Sequence, residues 1–304
     1  MLDICLLGTG GMMPLPDRFL TSLALRCFGK SVLFDCGEAT QIALRKAGWS
    51  PNPIDAIFIT HCHADHISGL PGFLLTMGNA DRTDPLFLAG PPGFKKAVDG
   101  LMAIAPHLPF PLRIREIAGD SEAFGFEGFS IRAFKVDHSL DCYGYALIVP
   151  RGRKFSAQRA MEQQIPQKLW SRLQKGETVE CEGRILSPNM VLGEERRGLK
   201  VVYCTDSRPC KSIAENAKEA DLFVCEGMYG DEASGENAKK YKHMTFLEAA
   251  GLAKEAAAKE LWLTHYSPAV KRPKDFIQAA KAVFPNTHAA YDGYAATLAF
   301  ERQP

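Results

Sequence analysis

The chain has no cysteine pair at CxxC spacing, and its nine cysteines are scattered and odd in number. A disulfide framework and a structural zinc ribbon are both disfavoured, so the cysteines are expected as reduced, small core residues. No apolar run approaches the roughly 20 residues that cross a bilayer, and Met1 to Leu7 lacks the basic start of a signal peptide. A cytoplasmic protein with no membrane partner is expected. An excess of one charge is also missing, since the formal balance is +1 over 304 residues. This argues against a surface uniformly coating nucleic acid and leaves room for one local basic patch. There is no HExxH helix of the zincin kind and no HxE with PCxxC of the zinc deaminase kind. The turn Gly8-Thr9-Gly10-Gly11, which follows the strand-like Leu2 to Leu7, is neither GxGxxG nor a Walker loop. It reads either as a phosphate cradle or as a tight connection at a sheet edge.

What the chain does have is concentrated in Thr60-His61-Cys62-His63-Ala64-Asp65-His66, where three of eight histidines and a carboxylate follow the apolar run Ala56 to Ile59. Imidazole and carboxylate together are ligands of borderline divalent metals, and a buried strand is what would deliver them to one place. Other apolar runs end in the same way. Ser31 to Phe34 ends on Asp35, Phe129 to Val136 on Asp137-His138, Leu199 to Cys204 near Asp206, Leu222 to Cys225 on Glu226, and Leu261 to Thr264 on His265. In open α/β sheets the carboxyl edge of the strands is where ligands bind. Asp35 can hydrogen-bond a metal-bound histidine or cap a helix over Ala39 to Ala47. His243 stands just before the capping box Thr245-Phe246-Leu247-Glu248 that opens the alanine-rich Phe246 to Lys259. Its position alone assigns it no role.

His61, His63, Asp65, His66, His138, Asp206 and His265 are too many donors for one tetrahedral zinc, which takes four ligands, or three and a water. Two metals sharing a bridging carboxylate suit them better, and such a pair prepares a nucleophilic hydroxide near neutral pH. Hydrolysis is the reaction class expected. Arg151 to Lys175 holds Arg151, Arg153, Lys154, Arg159, Lys168, Arg172 and Lys175 against the single acid Glu162. The segment is either a phosphate-neutralising patch for RNA or a solvated helix face.

HxHxDH with isolated downstream His, Asp and His resembles the metallo-β-lactamase superfamily. Gly8-Thr9-Gly10 with Pro14 and Arg18, Phe34-Asp35-Cys36-Gly37-Glu38-Ala39-Thr40-Gln41, His66-Ile67-Ser68-Gly69-Leu70-Pro71-Gly72, Asp206-Ser207-Arg208-Pro209 and Leu263-Thr264-His265-Tyr266-Ser267 are similar to the blocks of ribonuclease Z, the tRNA 3′-endonuclease family. The resemblance implies an α/β fold of metallo-β-lactamase type, an αβ/βα sandwich of two mixed sheets packed face to face with helices outside. It implies one domain over 1–304, with a substrate-binding arm within 150–198. It places one zinc on His61, His63 and His138, a second on Asp65, His66 and His265, and Asp206 between them, with manganese or iron as substitutes. Asp65 would be the general base, His243 the proton donor to the leaving 3′ oxygen, and Glu226 its orienting acid. Precursor tRNA is the implied substrate and a homodimer the implied assembly. Two departures stand out: Ala64 replaces a usual glycine, and Gln164 to Trp170 lacks the glycines of the family's arm. A small-molecule phosphodiesterase or ester hydrolase on the same site, or a non-catalytic metal-stabilised RNA-binding protein, are the rival readings.

Overall fold

A run such as Leu222-Phe223-Val224-Cys225 has no polar residue on either face, which suits a strand covered on both sides. The computed structural model describes residues 1–301. In chain order its strands are β1 (Leu2–Gly8), β2 (Ser22–Cys27), β3 (Lys30–Phe34), β4 (Ile54–Phe58), β5 (Leu86–Gly90) and β6 (Leu112–Glu116). Then come β7 (Ser121–Phe126), β8 (Phe129–Lys135), β9 (Tyr143–Arg151), the short pair β10 (Val179–Cys181) and β11 (Arg184–Leu186), and β12 (Arg196–Cys204). The last are β13 (Leu222–Glu226), β14 (Leu261–Thr264), β15 (Thr287–Ala289) and β16 (Tyr294–Leu298).

One seven-stranded sheet has the order β16-β1-β2-β3-β4-β5-β6 and the other β15-β14-β13-β12-β9-β8-β7. Each is mixed. β3 to β6 run parallel and β12 to β15 run parallel, while β1 to β3 and β7 to β9 are joined as antiparallel pairs. The inner faces meet through aromatic rings. Phe34 of the first sheet stacks on Tyr145 and Tyr203 of the second at 5.2 and 5.7 Å between centroids. All three are fully buried, and removing a ring of this size from water is worth about 2–3 kcal/mol. The Tyr145 hydroxyl donates to the carbonyl of Ile59 at 2.6 Å, so burial does not leave it unpaired.

Helices cover the outer faces. Ala43, Leu44, Leu70, Phe73, Phe94 and Val98, from Thr40–Lys46, Leu70–Gly78 and Phe94–Leu101, pack with Leu33, Ile57 and Leu88. Ala249, Ala250 and Ala253 of Phe246–Glu255 pack with Val202, Phe223 and Cys225. Small alanines let that helix lie close to the sheet.

Two segments whose sequences predict unbroken helices are interrupted. Phe94 to Ala105 reads as one helix, but it ends at Leu101 and tightens to a 3₁₀ turn over Met102–Ile104, just before Pro106, where a proline disfavours helical backbone at the preceding residue. Pro273 to Phe284 likewise reads as one helix, but it is a 3₁₀ turn, Pro273–Asp275, followed by Ile277–Val283. β6, β7 and β15 are half-exposed sheet members with few buried positions, which leaves little strand pattern in their sequences.

The chain divides into two compact units, Val149–Leu199 and the rest. The smaller unit has its own core of Ala160, Ile165, Leu173, Val179, Leu186, Val191 and Leu192. Ser156 caps its first helix, Ala157–Glu162, by accepting the Arg159 N–H at 3.2 Å. Within this unit Arg153 donates to the carbonyls of Gly193 and Leu192 and to Asn189.

Candidate metal centre

β4 stops at Phe58 and the chain turns. The Thr60 carbonyl accepts the N–H of Tyr143 from the opposite sheet at 3.0 Å. His63 is extended and caps a one-turn helix, Ala64–Ile67, that carries Asp65 and His66 back over the strand ends. Two glycines permit this fold-back. A Cβ on Gly69 would lie 1.8 Å from the Gly37 carbonyl oxygen, and one on Gly37 would lie 2.1 Å from that of Asp65. The blocks Asp35 to Gln41 and His66 to Gly72 are thus packed backbone to backbone.

Asp35, Asp206 and His265 each follow the end of a strand with left-handed backbone, φ 57°, 51° and 57°. For a non-glycine residue that conformation costs roughly 1–2 kcal/mol, and it is retained where surrounding structure over-determines it. Here it swings three polar side chains off β3, β12 and β14 into one place.

The structure brings His61, His63, Asp65, His66, His138, Asp206 and His265 together. His61, His63, His138 and Asp206 form one group of converging donor atoms, and Asp65, His66 and His265 another. In the first, His61 Nε2 lies 2.9 Å from His63 Nδ1, which lies 3.3 Å from His138 Nε2. In the second, His66 Nε2 and His265 Nε2 are 3.2 Å apart, with Asp65 Oδ2 at 3.5 and 3.4 Å from them. Asp206 joins the groups. Its Oδ1 is 3.2 Å from His66 Nε2 and 3.1 Å from His265 Nε2, while its Oδ2 is 3.7 Å from His61 Nε2 and 4.0 Å from His138 Nε2.

These separations bracket the roughly 3.4 Å between donors of a tetrahedral site with bonds near 2.1 Å. Asp206 Oδ1 and His265 Nδ1 are buried without a hydrogen-bond partner among the described residues. A buried carboxylate oxygen left so is costly unless a cation faces it. The donor set fits divalent metal.

The imidazoles are not electrostatically alike. Burial, reinforced by neighbouring His66, holds His61 well below the usual histidine value. Burial works the same way on His66, but Asp206, Asp35 and Asp65 outweigh it and raise that group. Burial opposes ionisation of Asp65, yet His66 and His265 hold its carboxyl far below the usual range. Asp65 also accepts the backbone N–H of Met12 at 2.8 Å.

Behind His66, the fully buried Asp35 accepts from Thr60 N at 2.8 Å, His66 Nδ1 at 2.9 Å and the Tyr203 hydroxyl at 2.9 Å. A proton on Nδ1 leaves the Nε2 lone pair directed at the other donors. The alternative, Asp35 as a helix cap, does not occur, because Ala39 is the N-cap of Thr40–Lys46.

Beside the donors, His243 Nδ1 lies 3.1 Å from Glu226 Oε2 and 3.8 Å from Asp206 Oδ2. Burial disfavours the imidazolium, but the Glu226 carboxylate more than offsets it and His243 is pushed up to about 9. Glu226 itself is fixed by the N–H groups of Ser207 at 2.5 Å and Met244 at 3.2 Å. A cavity of about 460 Å³ lined by Met12, His63, His138, Tyr229, Tyr241 and His243 adjoins this corner.

Four residues contribute in ways that the sequence alone does not assign. Tyr203 carries a hydroxyl in the fully buried end of β12, Val201 to Cys204, a position that requires a partner. Met12 contributes backbone only, so no side-chain pattern could reveal it. Gly11 lies so close to the site that a Cβ there would meet His265 Cε1 at 2.7 Å. Arg208 sits two residues beyond Asp206 with its guanidinium on the His243 carbonyl.

Of the basic residues in Val149–Leu199, Arg153 and Arg159 spend donors on the Leu192 carbonyl, and Arg172 pairs with Glu177 at 2.8 Å. Lys154, Lys168 and Lys175 are exposed, and Arg151 is partly buried. No described helix is long and apolar enough to cross a membrane.

Known proteins resemble this chain to different extents. Residues 2–97 match the family model described as "Anti-Pycsar protein Apyc1". The metallo-β-lactamase-fold protein YhfI from Bacillus subtilis superposes with a TM-score of 0.70 at 21% identity, covering 97% of this chain and 98% of its own, which shows the fold. The short form of human tRNase Z superposes with a TM-score of 0.72 at 25% identity, covering 98% of this chain and 100% of its own. Ribonuclease Z of Lachnospira eligens is 54% identical over 301 residues, 99% of both chains. With over half the residues shared along nearly the full length of both, the chain belongs to the ribonuclease Z family.

Proposed function

We propose that this chain is a metal-dependent endoribonuclease that hydrolyses a phosphodiester in precursor tRNA and removes the 3′ trailer. The observation that carries the reading is Asp206, whose two oxygens face different donor groups while Asp65 and His243 flank the same point. Two zinc ions are the metals proposed, with manganese or iron as substitutes: one on His61, His63 and His138, one on Asp65, His66 and His265, and Asp206 shared. When bound, such metals lower the pKa of water and neutralise charge on the phosphate.

The protein's own groups divide the proton work. Asp65 stays ionised and accepts the proton of the attacking water. Glu226 engages His243 Nδ1, so Nε2 carries the proton offered to the leaving oxygen. A bond forms from water oxygen to phosphorus and the P–O3′ bond breaks, giving a 3′ hydroxyl on the tRNA and a 5′ phosphate on the trailer. An alkoxide leaves poorly unless protonated, and positioned acid catalysis is worth about 10²–10⁴-fold.

The Val149–Leu199 unit is proposed as the substrate-gripping arm, with Lys154, Lys168 and Lys175 as its RNA contacts rather than the internally bonded Arg153 and Arg159. A cytoplasmic homodimer is the assembly proposed. Purified, zinc-loaded protein should cut precursor tRNA. Intact tRNA beside cleavage of a generic phosphodiester would overturn the substrate and leave the chemistry. Charge reversal of the three lysines should weaken tRNA binding and flatten its salt dependence by up to about 0.7–0.9 per lost phosphate contact.

A further inference from the structure

Arg208 links two parts of the site by hydrogen bonds. Its own backbone is fixed at both ends: its N–H donates to the Asp137 carbonyl at 2.9 Å, and its carbonyl accepts the Ser207 hydroxyl at 2.7 Å. The preceding N–H, that of Ser207, holds Glu226. From this anchored stretch the guanidinium reaches to the carbonyl oxygen of His243 and, with both terminal nitrogens, to the carboxylate of Glu248. Only 15% of the Arg208 side chain is exposed.

Glu248 is itself committed. It is the reciprocal partner in the capping box of Phe246–Glu255, accepting the Thr245 N–H at 2.9 Å while Thr245 Oγ1 accepts the Glu248 N–H at 3.2 Å. His243 lies between Lys242, the left-handed C-cap (φ 62°) of the helix Gly235–Tyr241, and this cap; its N–H is held by the Ala238 carbonyl of that helix at 2.8 Å, which leaves its own carbonyl to be fixed from elsewhere. A forked cation that grips the His243 carbonyl and the first turn of the next helix fixes that remaining end of the residue. Lysine, a single point charge, cannot reproduce that geometry.

We propose that Arg208 is a positioning residue for proton donation to the leaving 3′ oxygen, acting by fixing the peptide that carries His243. The inference rests on His243 being that donor. It predicts a defect confined to leaving-group departure, with metal binding and substrate binding intact.

The test compares two precursor tRNAs identical except at the scissile linkage, one with the ordinary 3′ oxygen and one with sulfur in the bridging 3′ position. A thiol has a pKa of about 8.5, so the thiolate leaves without protonation. His243→Ala should lower kcat on the oxygen substrate on the order of a hundredfold or more and be largely rescued by sulfur. Arg208→Ala should lower kcat about ten- to a hundredfold, the scale of an ångström-sized misplacement, with KM and bound metal unchanged and the same rescue by sulfur. Arg208→Lys should recover only part of the loss. Glu248→Gln, which retains the capping box, should show the same selective pattern and decides the matter if Arg208→Ala fails to fold.

If His243→Ala falls equally on both substrates, the donor assignment itself is wrong. If His243→Ala is selective but Arg208→Ala and Glu248→Gln fall equally on both substrates, or lose metal, or lose nothing, the positioning role is overturned while the function proposed above stands.

Discussion

His243 Nδ1 lies 3.1 Å from Oε2 of Glu226, a fully buried carboxylate that two backbone N–H groups also hold. With His243 as the proposed proton donor, the pair would set the upper pH limit of the reaction. An acid catalyst must be protonated, so activity falls as pH rises through its pKa, about 9 for His243. Glu226→Gln removes the stabilising charge while burial continues to press downward, moving the group to about the ordinary 6.5 or below. The falling limb of kcat/KM should therefore shift to lower pH by roughly two and a half units or more, with activity at acid pH retained. An unshifted limb would separate His243 from the titration.

Removal of metal should abolish cleavage and lower Tm together, because a ligand bound only by the folded state stabilises it. Asp206→Ala should reduce bound metal and cost several kcal/mol of transition-state stabilisation, more than a hundredfold in rate. Elemental analysis of the wild-type protein should find two metals per chain; a stoichiometry of one would remove the shared role of Asp206.

Asp35→Asn keeps a residue that tolerates left-handed backbone, so it tests the carboxylate and not the turn. Metal affinity should drop about 10–100-fold, as is usual when the partner of a metal-ligating histidine is lost. Competition against a chromogenic chelator measures this directly. Unchanged affinity would mean that Thr60 and Tyr203 are the only groups needing Asp35.

Gly11→Ala should disturb the site from outside the ligand set, since the new Cβ would meet the His265 ring at 2.7 Å. Overpacking of this kind costs about 1–3 kcal/mol. The expected result is a lower Tm and weaker metal binding, with far-ultraviolet circular dichroism unchanged. Normal metal affinity would show that the Gly11 loop can retreat.

The residues that converge at the candidate centre are legible in the sequence because strand-end positions are written in a strong local code: an apolar run, then one imidazole or carboxylate. His138, Asp206 and His265 were visible in this way although they lie far apart in the chain. The boundaries of β14 at Leu261 and Thr264 also matched expectation. What stayed hidden depends on tertiary proximity alone. Tyr203 reads as a strand residue until Asp35 faces it, Gly11 reads as a turn until His265 lies against it, and the edge strands β6 and β7 carry charged residues that blur their pattern. The basic run at 151–175 shows the opposite limit. Charge counting could not tell that Arg153 and Arg159 are occupied by carbonyls of their own unit.

The donors arise from strand ends spread from His61 to His265, with Asp206 between the two groups. A chain that stopped short of His265 would lack a donor of the second group. His61, His63 and His66 alone are fragments of both groups, and the full donor set is assembled only when β14, with His265 just past its end, lies beside β13.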